Sequence, residues 1–432
     1  MDRQGLRDET ASPDERLAAQ LRRLRAGLGE ITRSNPFYRE KFAGLDPRDV
    51  DSLDDFRHLP FTTKAELVRD QAAHPPFGTN LTYPLDRYIR VHQTSGTTGA
   101  PLRVLDTEES WRWWAKLWTY VYRAAGVAAG DRIYFCFGFG PFIGFWSALE
   151  GARAIGALAI SGGGQTTVER LRGIVELAAT VVLCTPTYAL RMAEVAREHG
   201  IALPDSAVRV TLHAGEPGAS IPETRTRIEQ AFGARAVDHT GASEVGATGF
   251  SCDARDGVHL IEGEFIAEVL DPATGAPVAA GGEGELVLTN LGRWGQPAIR
   301  YRTGDRVRPV WERCACGRTF VRLLGGILGR VDDMITVRGV NVFPSAIESI
   351  VRRYPEIVEF QIEARTTRGM DELVLQVEAR DTVASSELCR RIADALHAQL
   401  SLRCLVEAAP PNSLPRYELK SHRLVRRDPE RR

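Results

Sequence analysis

The sequence predicts an α/β protein. It indicates a large N-terminal domain of mainly parallel, helix-covered sheets, completed by a β-rich subdomain, and a small α+β C-terminal domain. Strand and helix patterns alternate over residues 132–232, short strands and turns dominate after Phe250, and a mixed pattern begins after Gly329. We therefore expect one domain over residues 1–328 and a second over residues 329–432.

Composition restricts the possible functions. At 432 residues the chain exceeds one average domain, and 43% hydrophobic residues suffice for large cores. The net charge of −1 gives no indication of a nucleic-acid partner. An apolar run of about 18 residues is absent, so we expect no membrane partner. The polar N-terminus lacks a signal-peptide core, and seven scattered cysteines argue against disulfides, so we expect a cytoplasmic protein.

The elements of the first domain follow from periodicity. Leucine spacing predicts an amphipathic helix over residues 14–31, and six aromatic residues predict a packed helix after Thr107. The alternating region predicts strands at 132–137, 157–160, 180–183 and 208–212, with helices at 167–177 and 222–232. Ligands of parallel sheets bind at the carboxyl ends of the strands, where the loops 138–144 and 213–217 would lie.

The later elements are shorter. The β-rich unit is expected at about 251–328, with strands at 265–270 and 285–289. The C-terminal domain is expected to contain strands at 333–337, 359–363 and 373–378, and helices at 346–354 and 386–400.

A hydroxyl- and glycine-rich run over residues 92–102 is the most informative stretch. Glycines allow several backbone N–H groups to point at one anion, and the hydroxyls add donors there. Such a loop suits the triphosphate of ATP, although the lysine of a Walker loop is missing and a hydroxyl-rich surface turn has the same composition. The candidate phosphate-binding residues are Thr94, Ser95, Gly96, Thr97, Thr98 and Gly99.

Residues 94–101 resemble the signature loop of the adenylate-forming superfamily, which includes acyl-CoA synthetases, nonribosomal adenylation domains and luciferases. The short length and the run 338–344 are similar to the phenylacetate-CoA ligase branch, and the resemblance covers nearly the whole chain. It implies activation of an aryl or arylacetic acid with ATP and Mg²⁺, release of pyrophosphate, and transfer to a thiol, with coenzyme A expected. It also implies a mobile small domain, which would exclude water from the acyl-adenylate.

Further motifs in the family's order assign the nucleotide site. The loop after residue 212 implies adenine contacts at Gly215, Glu216 and Pro217. The run 238–244 resembles the family motif that ends in a magnesium-binding glutamate. It implies a catalytic, Mg²⁺-binding Glu244, with Asp238 at the adenine amino group. The same motif places His239 and Thr240 beside the nucleotide, where Thr240 replaces the usual tyrosine.

The remaining family motifs concern the ribose, the hinge and the catalytic lysine. Asp305 corresponds to the ribose-binding carboxylate, and Arg330 would lie near the nucleotide. Asp332 would be the hinge. Lys420 would bridge carboxylate and phosphate oxygens during adenylation, although Leu419 replaces a glycine. Lys64 is assigned no role.

Aromatic side chains are expected to line the pocket for the acid. Phe139 and Phe142 lie where the related branch places its pocket, and flat rings suit an aromatic acid. Ala214 and Gly241 are the other predicted substrate contacts, while core packing remains the alternative for neighbouring aromatic residues.

Cys252, His259, Cys314 and Cys316 form a separate set. Thiolates and imidazole are preferred zinc ligands, and some phenylacetate-CoA-ligase-like proteins carry a similar set. We expect a structural Zn²⁺, with unconnected thiols as the alternative.

Two other functions remain open from sequence. The acyl acceptor could be a carrier-protein phosphopantetheine, an amine, or nitrite activated for aryl-amine modification. A nucleotide-binding homologue without turnover is a second alternative, which the presence of Lys420, Glu244 and Asp305 opposes. The sequence also leaves open a homodimer.

Overall fold

A computed structural model describes residues 3–94, 101–141, 143–144, 146–331, 335–337, 340–367, 370–380, 382–400, 404–418 and 421–427. It confirms the mixed α/β class. No helix in the described part of the chain is both long enough and apolar enough to cross a membrane.

An N-terminal group of helices packs against the β-rich part of the molecule. Its members are α1 (Arg3–Thr10), α2 (Pro13–Ser34), α3 (Pro36–Lys41), α4 (Leu53–Arg57) and α5 (Lys64–Ala73). Ser12 and Glu15 form a capping box at the start of α2, whose leucine face is buried as the spacing predicts. Thr63 and Glu66 cap α5 in the same way, which fixes the start of α5 at Lys64.

A short hairpin and an aromatic helix follow. The hairpin pairs β1 (Tyr88–Gln93) with β2 (Arg103–Thr107) and therefore flanks the hydroxyl-rich run. The aromatic helix, α6 (Glu108–Ala124), buries its tryptophans in the largest core, as predicted.

The described residues include a nine-stranded sheet that carries most of the predicted site. Its strands are β3 (Arg132–Phe135), β4 (Leu158–Ser161), β5 (Val181–Cys184), β6 (Val210–His213), β7 (Arg235–Ala242), β8 (Gly246–Ser251), β9 (Val258–Leu260), β13 (Pro309–Val310) and β14 (Arg322–Leu323). The order is β13-β14-β9-β8-β7-β6-β5-β3-β4, parallel from β7 to β4 and antiparallel elsewhere. The connecting helices are α7 (Trp146–Ala154), α8 (Thr167–Glu176), α9 (Pro186–Glu198) and α10 (Pro222–Phe232).

The β-rich unit divides between two sheets, which the sequence does not predict. Strands β10 (Phe265–Leu270), β11 (Gly284–Asn290), β12 (Tyr301–Val307) and β15 (Gly329–Arg330) form an antiparallel sheet of their own. Strands β9, β13 and β14 instead extend the large sheet, because β9 pairs with β8.

The C-terminal elements have a separate hydrophobic core. They are β16 (Ile335–Val337), β17 (Val340–Val342), α11 (Pro344–Val351), β18 (Ile357–Thr367), β19 (Met370–Ala379), α12 (Ser386–Leu400), β20 (Leu405–Ala409) and β21 (Leu424–Arg427). Antiparallel β18 and β19 are flanked by β21 and β20, each in parallel pairing. The sequence analysis does not predict these two outer strands.

Candidate active site

Glu244 follows β7 and is held from three directions. Its carboxylate Oε1 lies 3.3 Å from the Lys64 ammonium, and its side chain is only 9% exposed. The Tyr301 hydroxyl is also close. Burial, and then the Glu244 charge, raise the pKa of Tyr301 well above its ordinary value. The sequence analysis missed Lys64, although its position at the first turn of α5 was visible.

The backbone at Glu244 is fixed by a buried arginine. The Arg293 guanidinium donates to the Ser243 carbonyl at 2.8 Å and to the Glu244 carbonyl at 3.1 Å. Its other edge donates to both oxygens of Asp106, at 2.7 and 2.9 Å, and neither side chain of this pair is exposed. This pair leaves the Glu244 peptide little freedom, and no sequence motif identified it.

Of the six candidate phosphate-binding residues, Thr94 alone lies within the described part of the chain. Thr94 donates its N–H to the Leu102 carbonyl at 2.9 Å, and its Oγ1 accepts from the Leu102 N–H at 3.0 Å. These bonds close the base of the loop, and Leu102 lines one cavity together with Glu244. Ser95, Gly96, Thr97, Thr98 and Gly99 lie outside the described residues.

Asp238 and Thr240 lie on one face of β7. Asp238 is buried, accepts a hydrogen bond from the Ser220 hydroxyl, and donates its N–H to Ser251 Oγ at 2.8 Å. Burial raises the pKa of Asp238 to about 7. The Thr240 hydroxyl lies 3.1 Å from that of Thr248.

His239 points away from its neighbours in sequence, because successive side chains alternate across a strand. Its ring lies 4.4 Å from the ring of Trp118 on α6, between centroids. The structure therefore places His239 on the side of the aromatic core rather than beside Asp238, and a contact of His239 with the nucleotide stays a prediction.

Glu216 connects the loop after β6 to two other segments. Its Oε1 accepts from the Thr187 N–H at 3.0 Å, and its Oε2 accepts from the N–H and hydroxyl of Ser421 at 2.8 and 2.6 Å. Ser421 follows Lys420 directly in the sequence. Lys420 and Leu419 lie outside the described residues.

Asp305 and Arg330 lie on paired strands, β12 and β15. Arg330 Nη1 is 3.4 Å from Asp305 Oδ1 and donates to the Thr303 carbonyl at 3.1 Å. Gly304 has φ +74°, and a Cβ there would lie 2.8 Å from the Arg330 guanidinium. The structure thus brings these two predicted nucleotide residues together, whereas Asp332 lies outside the described residues.

An aromatic wall lies beyond the carboxyl end of β3. The Phe139 ring packs edge-on against Trp146 at 4.7 Å and lies 5.2 Å from Phe137, between centroids. Ala214 and Ala242 are partly buried and pack against the same large core as Phe139 and Trp146, and Gly241, next to Ala242 in sequence, is exposed. Phe142 lies outside the described residues.

The cysteine and histidine set converges at one point. One ligand atom of each of its four residues lies within 4.8 Å of the others. The Cys252 and Cys314 sulfurs are 3.8 Å apart, and Cys316 Sγ is 3.5 Å from His259 Nε2. His259 Nδ1 is 3.1 Å from the Phe320 carbonyl, which only accepts, so Nε2 presents a lone pair to the sulfurs.

Comparisons with known proteins show the family of this chain. The family described as AMP-binding enzyme matches residues 55–292, and the AMP-binding enzyme C-terminal domain matches residues 339–427. Phenylacetate-coenzyme A ligase of Thermus thermophilus is 33% identical over 434 residues, covering 95% of this chain and 96% of that protein. The Escherichia coli protein of that name is 33% identical over 428 residues, 96% of each chain.

Two solved structures of 2-hydroxyisobutyryl-CoA ligase differ in their similarity to this chain. In the postadenylation state with R3-HIB-AMP, that enzyme is 32% identical with a TM-score of 0.92, over 98% of this chain and 92% of that chain. In the thioesterification state with 2-HIB-AMP and CoA, the identity is 33% and the TM-score 0.74, over 98% and 91%. Since the coverage is equal, the domain arrangement here is closer to the postadenylation state. The chain belongs to the adenylate-forming AMP-binding enzymes, in the phenylacetate-CoA ligase-like branch of AMP-forming acid–CoA ligases.

Proposed function

We propose that this enzyme activates an aromatic carboxylic acid with ATP and transfers the acyl group to coenzyme A. The position of Glu244 carries the proposal. The Glu244 carboxylate is almost completely buried, and Arg293 fixes the backbone of Glu244 through two hydrogen bonds. Glu244 also lines a cavity together with Leu102, at the end of the hydroxyl-rich run. A fixed carboxylate beside a phosphate loop suits Mg²⁺, which neutralises charge between phosphates.

The other predicted residues have complementary roles around the nucleotide. Asp305 would accept hydrogen bonds from both ribose hydroxyls, with Arg330 beside it. Asp238 would accept a hydrogen bond from the adenine amino group. Gly215 and Pro217 would pack against the ring. Lys420 would stabilise the charge that develops during attack of the carboxylate on the α-phosphorus.

Lys64 gains a role that the sequence analysis did not give it. Its ammonium lies 3.3 Å from Oε1 of Glu244, the residue that lines the cavity together with Leu102. We propose that the Lys64 ammonium leaves Glu244 and pairs with phosphate oxygens when MgATP binds, because the Glu244 carboxylate would then bind Mg²⁺.

The aromatic wall supports the aromatic class of acid. Phe139 and Trp146 present an edge-to-face pair that is only partly buried. Such a surface favours the face of a planar ring. Phe142 and Gly241 remain predicted contacts of the same acid.

We also propose that the four-residue cysteine and histidine cluster holds a structural Zn²⁺. Ligands about 2.3 Å from one tetrahedral ion stand about 3.8 Å apart, which matches the Cys252–Cys314 separation. The Phe320 carbonyl orients His259 as an outer partner does in zinc sites. Four protein ligands leave no open position, so the role is structural.

Two linked assays test the function. Purified enzyme with MgATP and a panel of arylacetic and benzoic acids is expected to release pyrophosphate only with its acid. Added CoA is then expected to yield a thioester, identified by mass. Pyrophosphate release without a thioester would indicate that the acceptor is a carrier protein, an amine or nitrite rather than CoA. No pyrophosphate release with any acid would refute adenylation.

A further inference from the structure

His239 is a polar residue in an otherwise aromatic environment. Its side chain faces α6, it is only 6% exposed, and its ring contacts Trp118. Burial lowers the pKa of His239 to about 4, so the ring is neutral near pH 7. A neutral imidazole has one donor nitrogen and one acceptor nitrogen.

The tautomer of this ring follows from one contact. His239 Nδ1 is 2.7 Å from the Gly249 carbonyl oxygen, which can only accept. Nδ1 therefore carries the proton, and Nε2 presents a lone pair. Within the described residues Nε2 has no hydrogen-bond partner, and it is not one of the fully enclosed polar atoms that lack a partner, so it borders open space. A ligand atom would supply the missing donor.

Nε2 opens towards the position of the acid. A Cβ added to Gly241 would lie 3.5 Å from Nε2, so the absence of a side chain at Gly241 leaves this atom accessible. On the other side, Trp118 donates to Ser147 Oγ at 2.8 Å, and Ser147 adjoins Trp146 of the aromatic wall. The imidazole thus lies next to the predicted acid contact at Gly241, and Trp118 and Ser147 connect it to α7, the helix that begins with Trp146.

We propose that His239 makes the enzyme selective for acids that carry a hydroxyl or amino substituent, whose hydrogen Nε2 accepts. This rests on the proposed function. A site built to hydrogen-bond a substituent discriminates strongly against the analogue that lacks it, because the buried protein atom is then left unpaired.

Matched acids test this selectivity. Phenylacetic and benzoic acids are compared with their hydroxy, amino and methyl isomers by ATP–pyrophosphate exchange. At least one hydroxy or amino isomer is expected to exceed its methyl isostere in kcat/KM by about tenfold or more. The hydroxy and amino series show which donor the pocket takes.

Variants then attribute the preference to His239. In His239→Leu the ratio between the donor-bearing acid and its methyl isostere is expected to fall to about one, because no acceptor remains. His239→Gln is expected to retain part of this preference, because its amide oxygen can accept the hydrogen bond from the substituent. Because both acids are measured on one preparation, the ratio is independent of how much enzyme folds.

His213 provides the control. It is also a buried histidine, but Nε2 lies 2.8 Å from the Thr211 hydroxyl and Nδ1 3.3 Å from the Cys184 carbonyl. His213→Leu is expected to keep the wild-type ratio. Equal kcat/KM for hydroxy, amino and methyl isomers, or an unchanged ratio in His239→Leu, would overturn the inference while leaving adenylation intact. No exchange with any acid would instead refute the proposed function.

Discussion

The large-domain part of the site and the C-terminal segment next to Lys420 are held by contacts of different kinds. Glu244 is fixed through a completely buried pair, Arg293 and Asp106, and removing one partner of such a pair costs about 3–5 kcal/mol. The C-terminal segment is attached through hydrogen bonds from Ser421 to Glu216 and from Thr167 to Glu418, and through a partly exposed ion pair of Arg416 with Glu194. Each such bond contributes about 0.5–3 kcal/mol.

This difference matches two different tasks. In the proposed function the phosphate site would keep its geometry throughout the reaction, whereas the segment that carries Lys420 would serve adenylation only and then leave. The relative solved in two states supports this, because its TM-score against this chain is 0.92 in the postadenylation state and 0.74 in the thioesterification state. The contacts at Glu216 would then hold the adenylation arrangement.

The largest expected effect concerns the C-terminal side of this comparison. Lys420→Ala is expected to slow acyl-adenylate formation by about 10²-fold or more, as the loss of one preorganised charge does. ATP binding is expected to persist, because Asp305 and the phosphate loop are unchanged. Single-turnover adenylation measures the rate, and adenylation at the wild-type rate would show that another residue has this role.

A smaller effect is expected on the rigid side. Glu244→Gln keeps the shape but removes the charge that would hold Mg²⁺, so adenylation is expected to fall and to recover partly at high Mg²⁺. The measurement is the rate against metal concentration. Glu109→Gln, a change of an exposed glutamate, is the control. An unchanged metal dependence in Glu244→Gln would remove the magnesium assignment.

Glu216 distinguishes attachment from nucleotide contact. Glu216→Gln leaves one acceptor oxygen for three donors, so adenylation is expected to fall about tenfold. Thioester formation from supplied acyl-adenylate and CoA is expected to stay unchanged if this chain, like the solved relative, forms the thioester in a different domain arrangement. Stopped-flow assays of each half-reaction provide the comparison.

Glu223 is the matched control for Glu216. It also lies between the domains, 3.1 Å from Arg353, but both side chains are partly exposed, so Glu223→Gln is expected to have little effect. If Glu216→Gln raises the KM for ATP without changing the rate of adenylation, Glu216 is an adenine contact as the sequence analysis predicts.

Asp238 is expected to make nucleotide binding depend on pH. As an adenine contact its ionised carboxylate would accept from the amino group more strongly than the protonated carboxyl, and burial raises the pKa of Asp238 to about 7. Affinity for AMP is therefore expected to fall about tenfold from pH 8 to pH 6, as the group becomes protonated. Calorimetry on wild type and Asp238→Asn measures this, since the variant retains the titration of the nucleotide phosphate. The same slope in both proteins would contradict the assignment.

Sequence patterns identify the elements and site residues whose positions depend on the local order of residues along the chain. Leucine spacing, the strand–helix alternation and the family motifs locate α2, the parallel strands, Glu244 and Asp305. The contacts that orient these groups come from distant segments. Arg293 and Asp106 are 187 residues apart, and Glu216 and Ser421 are 205 apart. No periodicity records such pairs, because tertiary packing alone brings them together. His239 shows the same limit, since the motif locates the residue but the strand alternation decides its face.

The smallest expected effect on catalysis is at the cysteine and histidine cluster, which belongs to neither half of the site. Purified protein is expected to contain about one equivalent of zinc, and Cys314→Ser less than about half an equivalent. The melting temperature of this variant is expected to fall, because the ion connects the end of β8 to the loop before β14. The kcat of the folded fraction is expected to stay unchanged, since four protein ligands leave no position for substrate. Cys404→Ser, outside the cluster, is the control and should retain zinc. Wild-type protein without zinc, or a Cys314→Ser variant with full zinc content, would rule out the site.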